Sequence, residues 1–191
     1  LDNASELVIL AIGMTQVTAS SGGQDISVGA AMAIAGSVIL RLVCGGQSSA
    51  DVMQTPLLLA LLVGVLVSMA CGAFNGALVA YFKIQPMVAT LILFTAGRSI
   101  AAWINNNQLP IINDLTFKYA GTFLPGIPVP TPIFITILVI ALFALTLKCT
   151  NLGLYTQSVG INASSSRLNG LDPKRIKLLT YVILGVCVAI A

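Results

Sequence analysis

Chemistry needs nucleophiles, acids, bases or metal ligands, and this chain offers few. Histidine is absent, and the four cysteines, Cys44, Cys71, Cys149 and Cys187, sit in or at the ends of apolar runs without CxxC spacing. Neither a metal site nor a disulfide framework follows from them. There is no GxxxxGK[ST] phosphate loop and no paired-carboxylate site, so the chain reads as no enzyme and ATP hydrolysis would need a partner. What remains is hydrogen bonding within apolar surroundings. Gly22, Gly23, Gln24, Asp25 and Ser27 form one small polar cluster. Asn75, Thr95 and Arg98 stand further on, each inside an apolar run. A charge at mid-bilayer costs at least about 2.5 kcal/mol on insertion scales, so Arg98 is expected to face the bundle interior, a cavity or a partner such as Asp25. Either it serves helix-end carbonyls or it meets a substrate. Asn75 has the same two options, a neighbouring helix or a substrate.

Composition says what must hold these groups. The 191 residues are 57% hydrophobic and 8% charged, with a mean hydropathy of +0.99. A soluble domain carries about 25% charged residues, so this is a membrane protein and lipid is its solvent. Nine basic and six acidic residues, dispersed along the chain, exclude a nucleic-acid surface, which needs a clustered basic face. The chain begins with Leu, and Asp2 and Glu6 occupy the place of a signal peptide's positive charges. Its last residue, Ala191, falls within an apolar run, so the chain reads as incomplete at both ends.

The first apolar run, Leu7 to about Ala19, is short for a span of roughly 20 residues, and it ends at a Ser/Gly-rich break. Asp25 and Ser27 are candidate N-caps for the next run, Val28 to Val43, whose small residues permit close packing. A discontinuous helix pair is expected. Irregular backbone at membrane depth survives only where protein covers it or water reaches it, so the break is either part of a translocation path or a tight interfacial turn.

Residues 45–55 read as a loop. The longest run, Pro56 to about Phe82, would reach about 40 Å and span with tilt. Gly72 and Gly76 form a GxxxG on it, with Gly64 two turns earlier, for helix packing or for a substrate notch that includes Asn75. Lys83 to Pro86 is a turn, Met87 to Ile104 a span, and 105–131 a loop that Pro110, Pro125, Pro128 and Pro130 keep from being helical. Pro132 opens the next span, which runs to Lys148. Trp103 and Tyr119 suit interfacial positions.

The polar segment 151–177 is basic, with Arg167, Lys174, Arg175 and Lys177, and Lys148 just before it. The positive-inside rule makes it cytoplasmic, with the Lys83 turn, and puts 44–55 and 105–131 outside; Arg41 is a mild exception. Asn162 can cap a short helix over 163–169, Gly170 can supply the left-handed C-terminal position, and Asp172-Pro173 can start a new helix. A short polar helix between two spans has no membrane face to bury. That punctuation favours docking on a soluble partner over an ordinary solvated loop.

Three stretches resemble the membrane subunits of bacterial sugar-uptake ABC transporters of the ribose, xylose and galactose class. GGQDISVG over 22–29 is similar to the family's GGIDLSVG. Residues 158–171, from Ser158-Val159-Gly160-Ile161-Asn162 to Gly170-Leu171, resemble its coupling loop. KIQPMVATLILFTAGR over 83–98 is especially similar to the galactofuranose subgroup. The resemblance implies an all-α polytopic transmembrane bundle, about six spans of which are present, the last truncated. It carries the helix break and a short cytoplasmic coupling helix within a single domain over 1–191. It further implies a multi-pass permease of the bacterial inner membrane, one half of a homo- or heterodimeric pore. A periplasmic sugar-binding protein would deliver a monosaccharide, and a cytoplasmic ATP-binding-cassette ATPase, holding ATP and Mg, would drive import. Gly160, Asn162, Arg167, Leu168, Gly170 and Leu171 would couple to that ATPase. A neutral, hydroxyl-rich sugar suits a path of Asn, Thr and Ser, although composition alone does not require one.

Two departures stand out: Gln24 replaces an apolar residue, and the segment between Met14 and Gly22 is one residue longer than the family pattern, which rotates a helix by about 100°. Relative to the family, the first span and all beyond the seventh are missing. An ion-driven secondary transporter is a rival, but it needs buried acids for coupling and Asp25 is the only acid near a span interior. A structural membrane subunit or an inert fragment is another.

Overall fold

The computed structural model describes residues 2–47, 49–50, 53–108, 110–112 and 130–191. Its helices in chain order are α1 (Asp2–Ser21), α2 (Val28–Val43), α3 (Leu57–Ala80), α4 (Pro86–Ile104), α5 (Thr131–Cys149), α6 (Leu152–Ile161), α7 (Ala163–Leu168) and α8 (Pro173–Ile190). Two-residue strands β1 (Ser49–Ala50) and β2 (Ile111–Ile112) pair in parallel, Ser49 opposite Ile111 and Ala50 opposite Ile112. The expected loop at 45–55 therefore contains a short tie to the segment after α4. Pro125, Pro128 and Tyr119 lie outside the described residues.

The architecture is an all-α bundle. By length and composition α3, α4 and α5 are apolar enough to cross a membrane, and α2 is a shorter apolar helix. α1 and α8 have 20 and 18 residues but carry polar starts, Asp2 to Glu6 in one and Lys174 to Lys177 in the other. The apolar run that opens the chain underestimates its helix. α1 begins five residues before Leu7 and reaches about 30 Å, because helical backbone continues through polar residues that need not be in lipid.

Helix α3 packs most extensively on α8, which also packs on α1, while α2 packs on α4 and α3. Small residues let these pairs close. A Cβ added at Gly72 would lie 2.3 Å from the Tyr181 carbonyl oxygen, and one at Gly185 would lie 2.6 Å from the Ser68 carbonyl oxygen. The Gly72/Gly76 pair is thus a packing motif against the backbone of α8. On α4, Ala89, Thr90, Leu93, Gly97 and Ala101 are buried, a stripe at helical spacing that lies on α2; a Cβ at Gly97 would meet the Ala30 methyl at 2.8 Å. Val17, Ala31, Val79, Tyr181, Leu184 and Val188 form the central core. Toward lipid or further protein, α3 shows Leu58, Leu62 and Leu66, and α5 is almost wholly uncovered.

The segment after α5 is more helical than its polarity announces. Residues 152–161 form a ten-residue helix, where only 163–169 was expected to be helical. Its LGLYTQSVGI sequence places Thr156 and Val159 against α1, and Thr156 Oγ1 donates to Gln16 Oε1 at 3.4 Å. The punctuation beyond it matches expectation. Asn162 Oδ1 accepts from the Ser164 and Ser165 amides, both at 3.0 Å. Gly170 adopts φ +82°, and Asp172 Oδ1 accepts from the Lys174 amide at 3.1 Å at the start of α8.

Candidate functional site

The polar cluster at 22–27 closes the gap between α1 and α2. Gly22, at φ +70°, turns the chain out of α1, and Gly23 lies so close to Pro86 that a Cβ there would sit 2.8 Å from the ring. The break therefore stands level with the Lys83 turn, at the same end of the bundle as the basic segment. It joins two helices at their ends and does not interrupt a helix at mid-span. Ser27 occupies the N-cap position of α2, but its side chain makes no capping bond. Asp25 does that work: its Oδ1 accepts from the Ser27 amide at 2.7 Å and from the Ser27 hydroxyl at 2.6 Å. The carboxylate is 5% exposed and faces the positive end of α2.

Asn75, from α3, completes the network. Its Nδ2 donates to Ser27 Oγ at 2.7 Å and, more weakly, to Asp25 Oδ2 at 3.5 Å. Thr90, from α4, accepts the Ile26 amide at 3.1 Å. One short segment is thus bolted to α3 and α4. Asn75 Oδ1 and Ser68 Oγ, both buried and with no hydrogen-bond partner among the described residues, line a cavity of about 10 Å³ beside Asp25. That volume is at the threshold for a single water molecule. Chemically the arrangement can hold hydrogen-bonded groups rigidly and can offer two acceptors; it contains no nucleophile activated by a base.

Gln24 projects into the open while Asp25 and Ser27 are buried. In a background with exposed Cys149 replaced by serine, a cysteine at Gln24 is expected to react with a water-soluble thiol reagent at least about tenfold faster than one at Ser27. Equal rates would mean that the break opens far more than its hydrogen bonds allow.

Thr95 and Arg98 are not part of this cluster. The Thr95 hydroxyl donates back to the Leu91 and Ile92 carbonyls of its own helix, each at 3.0 Å. Arg98 was expected to face the bundle interior, a cavity or a partner such as Asp25; it does not meet Asp25 or the interior of this bundle but lies on an exposed face of α4, with no hydrogen bond or ion pair among the described residues. The reason is angular. The buried stripe of α4 passes through Gly97, and the next residue points about 100° away. The helix-end carbonyl role falls to Arg41, whose Nη1 donates to the Ile104 carbonyl at the end of α4.

The second group of candidates surrounds α7. Asn162, Arg167, Leu168 and Gly170 are exposed and Leu171 is half-buried. Gly160 is open on one side, but on the other its backbone meets α1 so closely that a Cβ would overlap the Ala19 carbonyl oxygen at 1.8 Å. It fixes α6 to α1 and leaves α7 to project. Leu168 is 89% exposed, and so, at 87%, is Ile161, which had not been singled out. A signal for Ile161 was present: an apolar residue before an N-cap pairs with one five positions on, and that position is Ser166, so Ile161 has no local partner. Thr90, as a partner of the break, and Ser68, as lining of the cavity beside it, were also missed, since nothing in their spacing ties them to it.

The family model described as branched-chain amino acid transport system / permease component matches residues 2–191. The galactofuranose transporter permease protein YtfT of Escherichia coli (strain K12) is 44% identical, the alignment covering all of this chain and 53% of that protein. The fructose import permease protein FruF of Bifidobacterium longum (strain NCC 2705) is 34% identical over all of this chain and 52% of its own length. The ribose import permease protein RbsC of Escherichia coli (strain K12) is 30% identical, with 58% of its length covered. The chain thus spans little more than half the length of the curated relatives it matches. No solved structure matches it. An apolar helical bundle with a capped polar break and a projecting short helix, matched along 2–191 by one family model, belongs to the branched-chain amino acid transport system permease component family.

Proposed function

We propose that the protein acts as a permease subunit of an ATP-binding-cassette importer for a monosaccharide, multi-pass in the bacterial inner membrane. The reading of a sugar over an amino acid rests on the relatives, whose names specify galactofuranose, fructose and ribose. Import would be driven by a cytoplasmic ATPase that holds ATP and Mg, fed by a periplasmic sugar-binding protein, and carried through a pore shared with a second permease subunit. Thr95 and Arg98, on the α4 face left uncovered here, would face that pore or that subunit, because an arginine in bare lipid is costly.

The observation that carries the reading is α7. A six-residue helix, held at one end by Asn162 and at the other by Gly170, lifts Leu168 away from the bundle, and Ile161, the last residue of α6, stands exposed just before it. Two large apolar side chains left almost fully exposed, with Arg167 beside them, make a small anchor for a groove on a soluble partner. Leu168→Asp is expected to leave membrane insertion and the amount of protein unchanged and to weaken ATPase association by about 30-fold, the loss typical of an interface anchor. Sugar uptake in cells should fall accordingly. Normal uptake by the variant would sink the docking assignment. Uptake of leucine in place of galactofuranose, fructose or ribose by the unaltered protein would redirect the substrate to amino acids while leaving the docking role standing.

A further inference from the structure

The α3–α4 turn, α7 and the first turn of α8 enclose a groove of about 740 Å³. Lys83, Arg167, Lys174 and Lys177 line it. The acid that lines it, Asp172, is committed to Arg175 Nε at 3.2 Å and to capping α8. None of the four lining cations has an ion pair among the described residues. Four positive charges around one concavity repel one another unless an anion sits between them. Lys83 is further held at φ +56°, a backbone conformation that costs a non-glycine residue energy.

The groove's position narrows the anion. Its inner wall is made by the ends of α3 and α4, through Val79, Ala80 and Pro86, both helices being able to cross a membrane. Next to it, Tyr81 and Phe82 are exposed, and the Lys174 ammonium lies 5.7 Å from the centre of the Tyr81 ring. Aromatic rings beside basic residues at the end of a span mark the headgroup layer. Ile161 and Leu168, the anchor proposed for a soluble partner, do not line it. We propose that this groove binds the phosphodiester headgroup of an anionic phospholipid, with Lys83 and Lys177 as the charges nearest the membrane and acyl chains descending past Phe82. A bound lipid would tie α7 to the α3–α4 turn.

The test is native mass spectrometry of the purified protein with phosphatidylglycerol and phosphatidylcholine, for the unaltered chain and for K83Q/K177Q. At about a fivefold effect per basic residue near a membrane surface, the double variant should retain phosphatidylglycerol about 30-fold less well. Phosphatidylcholine should be retained weakly by both, and excess inorganic phosphate should not displace the lipid. Equal retention of the two lipids, or equal retention of phosphatidylglycerol by both proteins, overturns the proposal. Displacement by phosphate would make the ligand a free anion and not a lipid. Weaker ATPase association in K83Q/K177Q with lipid retention unchanged would assign the groove to an acidic protein surface, and the Leu168 experiment is read separately.

Discussion

Gly72→Val is expected to unfold the bundle at its central crossing. The added side chain would start 2.3 Å from the Tyr181 carbonyl oxygen and 3.4 Å from the Gly185 Cα, and both are backbone atoms that no rotamer change can move. α3 and α8 would have to separate along their most extensive contact, which carries Tyr181 and Leu184 of the core. Overpacking of this kind costs about 1–3 kcal/mol when side chains can yield, so the upper end or more is expected where the backbone must. Denaturant titration in detergent, followed by the fluorescence of Trp103, measures it. Gly36→Ala is the control: nothing lies within 4 Å of a Cβ there, and helix propensity favours alanine by about 1 kcal/mol. If both variants unfold at the same denaturant concentration as the unaltered chain, close backbone approach is not what holds α3 to α8.

Asp25→Ala should be the most damaging single change in the polar cluster. It strands the Ser27 amide, and it takes from the Ser27 hydroxyl and the Asn75 amide one of their acceptors. Each buried donor left unpartnered costs about 1–3 kcal/mol, which gives a loss of about 3 kcal/mol or more for the group. Asp25→Asn keeps an oxygen in the Oδ1 position, and its loss should stay near 1 kcal/mol. A large difference between the two variants identifies Asp25 as the hydrogen-bonded latch of α2. If both variants retain full stability and both lose transport, the carboxylate acts on a substrate or on coupling and not on the fold. The same comparison bears on the ion-driven rival, which requires the charge itself.

Much of the local structure was legible because its causes are local. The caps at Asn162, Gly170 and Asp172 depend on residues two or three positions away, and each behaves as its sequence neighbourhood predicts. The limits of α2 and of the long run through α3 follow from composition alone. The start of α1 and the helix at 152–161 were missed for one reason: apolar content locates lipid-facing length, and helical backbone extends beyond it wherever polar residues reach water or another helix. Thr156 and Val159 become buried only because α1 lies beside them.

The candidate sites divide along the same line. Gly22 to Ser27 was recognisable as a break from its glycines and polar residues, but its partners were not, since Asn75 and Thr90 lie 48 and 64 residues away in sequence from the groups they bond. Arg98 could be placed on a span but not on a face, because a helix one residue out of register turns by about 100°.

By itself, the sequence determined that the chain is a membrane protein, where its helices begin and end near caps and prolines, and that 151–177 carries a capped helix. Hydropathy and cap chemistry act over a few residues, so no tertiary contact is needed to read them. Only the tertiary structure decided that Asp25 is engaged by Asn75 and not by Arg98, that Gly72 and Gly160 are points of backbone contact, and that Lys83 shares a groove with Arg167, Lys174 and Lys177. Those pairings depend on the angular setting of helices distant in sequence. That angle is set by which small residues allow two backbones to meet, a property of pairs of helices and not of either one alone.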